Sequence, residues 1–171
     1  IVNVDVIAFK DGWHGDTSRM FKIGEISIKA EKLIKTTYES MIKAIKIVKD
    51  GIHLGDIGST IQTYVEAEGF SVVQDFCGHG IGQTFHKEPN VLHYGEKGTG
   101  EKLKEGDIVN VDVTAFKDGW HGDTSRMFKI GNISIKAEKL INTTYDSMMK
   151  AISIVKDGIR LGDIGSTIQT H

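Results

Sequence analysis

From Val2 the chain alternates apolar and polar side chains as far as Val6. The run breaks at Lys10-Asp11-Gly12-Trp13, and a second strand-like run follows to Phe21. A period of two marks a half-buried strand, and Asp-Gly between two such runs is a strong two-residue hairpin signal. The pattern predicts a hairpin with Lys10 opposite Trp13, Ile7 opposite Asp16 and Asp5 opposite Ser18. The period then changes. Leu33, Ile34, Thr37, Tyr38, Met41, Ile45 and Val48 form an apolar stripe at helical spacing. They predict a helix capped by Ser27 and running to about Val48, with Gly51 at its C′ position. Asp56 is expected to cap a second helix that runs through Glu68 and stops at Gly69. Residues 70–73 read as a short strand, 77–82 as a glycine-rich turn and 95–106 as a polar loop. The hairpin and helices then recur from residue 108. The order is that of an α+β protein.

The recurrence is a repeat. Residues 1–64 align without gaps to 108–171 and differ at eight positions: Ile7/Thr114, Glu25/Asn132, Lys35/Asn142, Glu39/Asp146, Ile42/Met149, Lys46/Ser153, His53/Arg160 and Tyr64/His171. This is too long for a solenoid unit, whose period is roughly 20–50 residues. Positions 35, 39, 42 and 46 lie on one helical face, which is expected to be solvated. The chain therefore reads as one domain, 1–171, built on a duplicated half and joined through the 95–106 loop. Ile1 and His171 both fall inside predicted elements, so an excerpt or a rearranged chain is expected.

Composition adds exclusions. Among 171 residues, Lys+Arg 21 against Asp+Glu 23 gives a net charge of -2, with no basic run to suit nucleic acid or a membrane surface. No apolar stretch approaches the roughly 20 residues of a membrane span. One cysteine, Cys77, precludes an internal disulfide and fits a reducing, cytoplasmic setting. Gly 20 and Pro 1 are the unusual counts.

The hairpin register puts Asp5 and Asp16 on one face as diagonal neighbours, about 7–8 Å apart at the backbone. Two acids there are either solvated carboxylates or a pair sharing cations, and the hairpin alone leaves both readings open. His14 shares the face and reads as a surface residue. His79 lies between glycines that allow close approach to a ligand, and neutral imidazole is a common metal ligand. His86 is placed to move a proton near neutral pH. His93 and Cys77 read as packing residues, Cys77 as a buried thiol.

Taken together, Asn3-Val4-Asp5-Val6, His14-Gly15-Asp16-Thr17-Ser18, Gly78-His79-Gly80-Ile81-Gly82 and Phe85-His86-Lys87-Glu88-Pro89 resemble the type I methionine aminopeptidases of the bacterial kind. Residues 1–106 follow the central stretch of that family in order, and 107–171 follow part of it again. The resemblance implies a pita-bread fold: two αβ halves around a dinuclear site of divalent ions (Co, Mn, Fe or Zn). It implies removal of Met from the N-terminus of a peptide or nascent protein, by metal-activated hydroxide and a polarised carbonyl. It makes Asp5, Asp16 and His79 metal ligands and gives His86 contact with the scissile peptide.

Two glutamate ligands of that family are missing. Leu103-Lys104-Glu105-Gly106 leads into Asp107-Ile108-Val109-Asn110-Val111-Asp112, not into an Ile-Glu-Pro segment. Counted from that lead-in, Asp112 takes the place of one glutamate and Asp123 falls near the place of the other. The expectation is a circularly permuted, more symmetric pita-bread with the site Asp5, Asp16, His79, Asp112 and Asp123, and helices at 134–171 covering the first hairpin. The alternatives are a degenerate metal-binding or non-enzymatic protein of this fold. A duplicated half also invites swapping, so a monomer or a swapped oligomer is expected.

Overall fold

A computed structural model describes all residues 1–171. The first hairpin pairs β1 (Val2–Lys10) with β2 (Trp13–Phe21) in the expected register, Lys10 opposite Trp13 and Asp5 opposite Ser18. Its turn places Asp11 at φ 52° and Gly12 at φ 84°. Two successive left-handed residues make the tight turn that matches strand twist. Helix α1 (Ile28–Ile47) starts at Ser27, whose hydroxyl accepts from the amide of Ala30. It ends at Val48, so Gly51 belongs to the following turn and not to the cap. Helix α2 (Leu54–Ala67) is capped at His53. Asp56 is its third residue and accepts from the His53 amide at 3.0 Å, which corrects its expected place as the cap.

Three short strands follow: β3 (Ser71–Val72), β4 (Gly78–Gly80) and β5 (Lys87–Val91). The glycine-rich stretch is thus partly a strand, and β5 was not anticipated. The second hairpin, β6 (Ile108–Lys117) and β7 (Trp120–Lys129), precedes α3 (Ile135–Ser153) and α4 (Leu161–Gln169). All strands join one mixed-length antiparallel sheet in the order β1-β2-β7-β6-β4-β5, with β3 also on β6.

The hairpins meet through β2 and β7, where Ser18 lies opposite its repeat equivalent Ser125. A local twofold axis passes there. Thr17 Oγ1 donates to the Ser125 carbonyl at 2.9 Å, and Thr124 Oγ1 donates to the Ser18 carbonyl at 3.0 Å. The helices cross over: α1 packs on β6 and β7, and α3 packs on β1 and β2. The glycines show why. A Cβ on Gly122 would stand 2.5 Å from Thr37 Oγ1, and one on Gly15 would stand 2.3 Å from Thr144 Oγ1. Each helix approaches the partner hairpin too closely for any side chain there. The buried face of α1 accordingly includes the small residues Thr36, Ser40 and Ala44 beside Leu33 and Met41. The expected solvated face is also narrower than the repeat differences implied. Ile42 packs against the core, and Glu39 accepts a hydrogen bond from Tyr64 of α2.

Both helical pairs lie on the sheet face bearing Val4, Val6, Val111 and Val113, which are all buried. The opposite face is left to the acids.

Candidate metal centre

Period-two alternation sends Asp5, Asp112 and the residues two before them, Asn3 and Asn110, to the helix-free face. Asp16 and Asp123 arrive there from β2 and β7, each held at the backbone by a methionine of the other hairpin. The Asp16 amide meets Met127 Sδ at 3.0 Å, and the Asp123 amide meets Met20 Sδ at 2.9 Å. Crossed asparagines complete the pattern. Asn110 donates to Asp16 Oδ2 at 2.7 Å, and Asn3 donates to Asp123 Oδ2 at 2.8 Å. Thr114 Oγ1 donates to Asp123 Oδ1 at 3.0 Å.

Strand β4 brings His79 to Asp16, with Nε2 3.6 Å from Oδ2. The carbonyl of Gly80 accepts from His79 Nδ1 at 3.0 Å, which orients the ring and fixes which nitrogen faces the acids. Gly78 permits this approach, because a Cβ there would lie 2.3 Å from the Asn110 carbonyl. His86 is exposed and stacks edge-on against His79 with ring centroids 4.5 Å apart. Phe85 touches both histidines, and His14 joins the same stack while its Nδ1 donates to the Gly82 carbonyl at 3.0 Å. His14 therefore ties the first hairpin to the glycine-rich strand.

The electrostatics are those of like charges brought together. Burial, then the charges of Asp123, Asp16 and Asp5, push the Asp112 carboxyl up to about 8. Its Oδ1 is buried with no hydrogen-bond partner. Asp5 keeps an exposed flank, but desolvation of the side facing its neighbours, the charges of Asp16 and Asp123 and a hydrogen bond with Asp16 push it up to about 6. Burial opposes the charged form of His79, yet its contacts with Asp16 and the Gly80 carbonyl prevail and raise it.

Four carboxylates, one imidazole and an unpartnered buried oxygen are the chemistry a divalent cation satisfies. No three His, Cys, Asp or Glu side chains stand arranged to hold one ion, however, so the donor set fits a metal in kind and charge while its arms remain apart.

The packing residues divide. His93 is fully buried and held low by burial, in keeping with a neutral core imidazole. Cys77 is only partly buried, which corrects the expectation of a buried thiol. Burial, Asp112 and Glu88 push that thiol up, away from nucleophilic use. The asparagines were missed at the sequence level, although each stands two residues before a recognised acid on the same strand face. Two cavities of about 500 and 640 Å³ flank the hairpin turns at Trp120 and Trp13 and are lined by none of the clustered acids.

Residues 1–105 and again 90–171 match the model of metallopeptidase family M24. The methionine aminopeptidase of Rickettsia prowazekii is 42% identical over 169 residues, which cover 94% of this chain and 60% of that protein. That of Escherichia coli K12 is 45% identical over 166 residues, covering 92% and 61%. The chain thus spans about 60% of the length of the relatives it matches. Crystal structures of methionine aminopeptidases from R. prowazekii (TM-score 0.70, 40% identity, 75% of this chain and 60% of that one) and Thermotoga maritima (0.71, 32%, 75% and 59%) share the fold. An X-Pro aminopeptidase from T. maritima, 20% identical with a TM-score of 0.66, shows the fold alone. The α+β architecture is that of the pita-bread proteins. Matching family models over both halves, and relatives above 40% identity across nearly all of the chain, place it: the chain belongs to metallopeptidase family M24.

Proposed function

We propose that this protein is a metal-dependent aminopeptidase that removes Met from the N-terminus of a peptide or nascent protein. The observation that carries the proposal is His79 held against Asp16 inside a cluster of four carboxylates, with His86 stacked on its open side. Asp5, Asp16, His79, Asp112 and Asp123 would hold the metal, two divalent ions being the reading for four carboxylates. Such ions supply Lewis-acid activation of water and of the scissile carbonyl. The chain's own residues do the rest. Asn110 and Asn3 hold the Asp16 and Asp123 carboxylates in place, and the Gly80 carbonyl fixes the His79 ring. His86, exposed and edge-on to His79, is positioned to hold the scissile amide and exchange a proton with it. A cytoplasmic setting accords with the lone, unpaired Cys77.

A second reading rests on the spread of the acids: a folded protein that binds metal without turnover. One experiment separates the two. The protein is stripped with chelator, reloaded with Co(II) or Mn(II), and assayed for Met release from a Met-Ala-Ser peptide beside a direct metal count. Metal-dependent release that is lost in His86→Ala supports the aminopeptidase. Bound metal without release supports the second reading. Asp112→Asn is expected to weaken metal binding at least about tenfold, and an unchanged metal count would remove Asp112 from the site.

A further inference from the structure

In the proposed reaction His86 holds the scissile amide, yet it is an exposed side chain at the end of the β4–β5 connection, residues 81–86. Within that connection Gly82 alone is buried. Its anchor comes from the first hairpin. The Gly82 carbonyl accepts twice from His14, from the backbone amide at 2.9 Å and from Nδ1 at 3.0 Å. A carbonyl can only accept, so Nδ1 is the ring nitrogen that carries the proton. Trp13 packs over the same residue, its Cζ3 lying 3.4 Å from where a Cβ on Gly82 would stand. The Gly82 amide then donates to the Thr84 carbonyl at 3.2 Å, so the turn that leads to Phe85 and His86 starts from a fixed point.

His14 also meets the far end of the connection. Its ring stacks on Phe9, the residue opposite it in the hairpin, at 4.8 Å, and meets Phe85 at 5.6 Å. Phe85 touches all three histidines, lying 4.2 Å from His86 and 5.5 Å from His79. The repeat separates the two kinds of contact. His121 stacks on Phe116 at the same 4.8 Å and 51° as His14 on Phe9, so that stack belongs to the hairpin itself. The bond to Gly82 and the contact with Phe85 belong to His14.

On the aminopeptidase reading, we infer that His14 is a positioning residue, whose Nδ1–H bond to Gly82 holds the β4–β5 connection so that His86 meets the scissile amide. His14 itself touches neither substrate nor metal in this role. An exposed imidazole on an unanchored connection samples several positions, and a displacement of about 1 Å can cost up to about 100-fold in rate. The bond to Gly82 removes that freedom at the start of the turn, and the contact with Phe85 removes it beside His86.

Two substitutions in the full chain isolate the bond. His14→Phe keeps a ring between Phe9 and Phe85 but loses the donor, whereas His14→Asn keeps an N–H at the place of Nδ1. With Mn(II) and a Met-Ala-Ser peptide, His14→Phe should lower kcat at least about tenfold while KM and the metal count stay at the parent values. His14→Asn should recover most of that loss, and His121→Phe, the same change in the other hairpin, should leave kcat unchanged. Hydrogen exchange in the metal-free chain reads the anchor without turnover: the amides of residues 82–86 should exchange at least about tenfold faster in His14→Phe and near the parent rate in His14→Asn. Parent kcat and exchange in His14→Phe, no recovery in His14→Asn, or an equal loss in His121→Phe overturns the inference. A parent chain that releases no Met would overturn the aminopeptidase reading, and exchange would still decide whether His14 holds the connection.

Discussion

Asn3 and Asn110 are the same residue of the repeat doing the same work in different surroundings. Each donates to an aspartate of the opposite hairpin, but Asn110 is fully buried and Asn3 is exposed. A hydrogen bond to a carboxylate contributes about 1.5–3 kcal/mol when water is excluded, and much less when water competes. Asn110→Ala should therefore lower the urea midpoint by an amount equivalent to about 2 kcal/mol, and Asn3→Ala by less than about 1 kcal/mol; equal losses would show that burial does not set the difference. The acids give a second prediction at this scale. Asp112 and Asp5 titrate at about 8 and about 6 in the folded, metal-free chain, against 3.8 for a free aspartate. The folded state thus binds more protons than the unfolded state between these values, and stability falls as pH rises through that window. Metal-free protein should melt higher at pH 5 than at pH 8.5. For a discounted penalty of about 2 kcal/mol the difference is roughly 4–8 °C. Asp112→Asn should remove the upper part of the slope, and saturating Mn(II) should flatten it. A melting temperature that rises towards pH 8.5 in metal-free protein would contradict the crowding of these carboxylates.

At the scale of elements, the hairpins were legible because Asp11-Gly12 dictates the turn, and the turn dictates the register. That register alone brought Asp5 and Asp16 to one face. The helices were legible from their stripe and from Ser27, but their boundaries shifted where two capping residues competed, as His53 displaced Asp56. Strands β4 and β5 were not legible. A three-residue strand of Gly78, His79 and Gly80 has no alternation to read, and β5 carries Pro89, which usually argues against a strand. The crossing of helices over hairpins left only an indirect trace, the small residues at Gly15, Gly122, Thr37 and Thr144. The convergence of four acids depended on the pairing of β2 with β7, which no local pattern announces, so the sequence supplied the acids and resemblance supplied their grouping. Gly122 tests the crossing directly. Gly122→Val would drive its side chain into Thr37 and Leu33 and lift α1 from the second hairpin. Overpacking of this kind costs about 1–3 kcal/mol, seen as an earlier urea midpoint. A neutral effect would show that α1 does not sit on that hairpin.

The whole molecule is a near-symmetric pair with unequal halves. Around α1, α2 and β6 a single core gathers fifteen buried hydrophobic residues, whereas the core of α3, α4 and β1 gathers five. The sequences hardly differ over the repeat, so the imbalance comes chiefly from residues 65–103, which cover one half and not the other. Val91, Leu103 and Phe70 enter the larger core from that segment and have no counterpart in the smaller one. Local opening follows local burial, because each unit opens at the cost of the apolar contacts it must expose. Nearly identical helices should therefore differ in dynamics for reasons that lie mainly outside them. Native-state hydrogen exchange can compare each residue with its own repeat equivalent, which removes intrinsic exchange chemistry as a variable. Ile164 of α4 should exchange at least about tenfold faster than Ile57 of α2, and Met148 of α3 faster than Met41 of α1, with β1 less protected than β6. Equal protection in every pair would mean that the axis through Ser18 and Ser125 couples the halves into one cooperative unit, and that the uncovered half draws its stability from across the sheet and not from its own core.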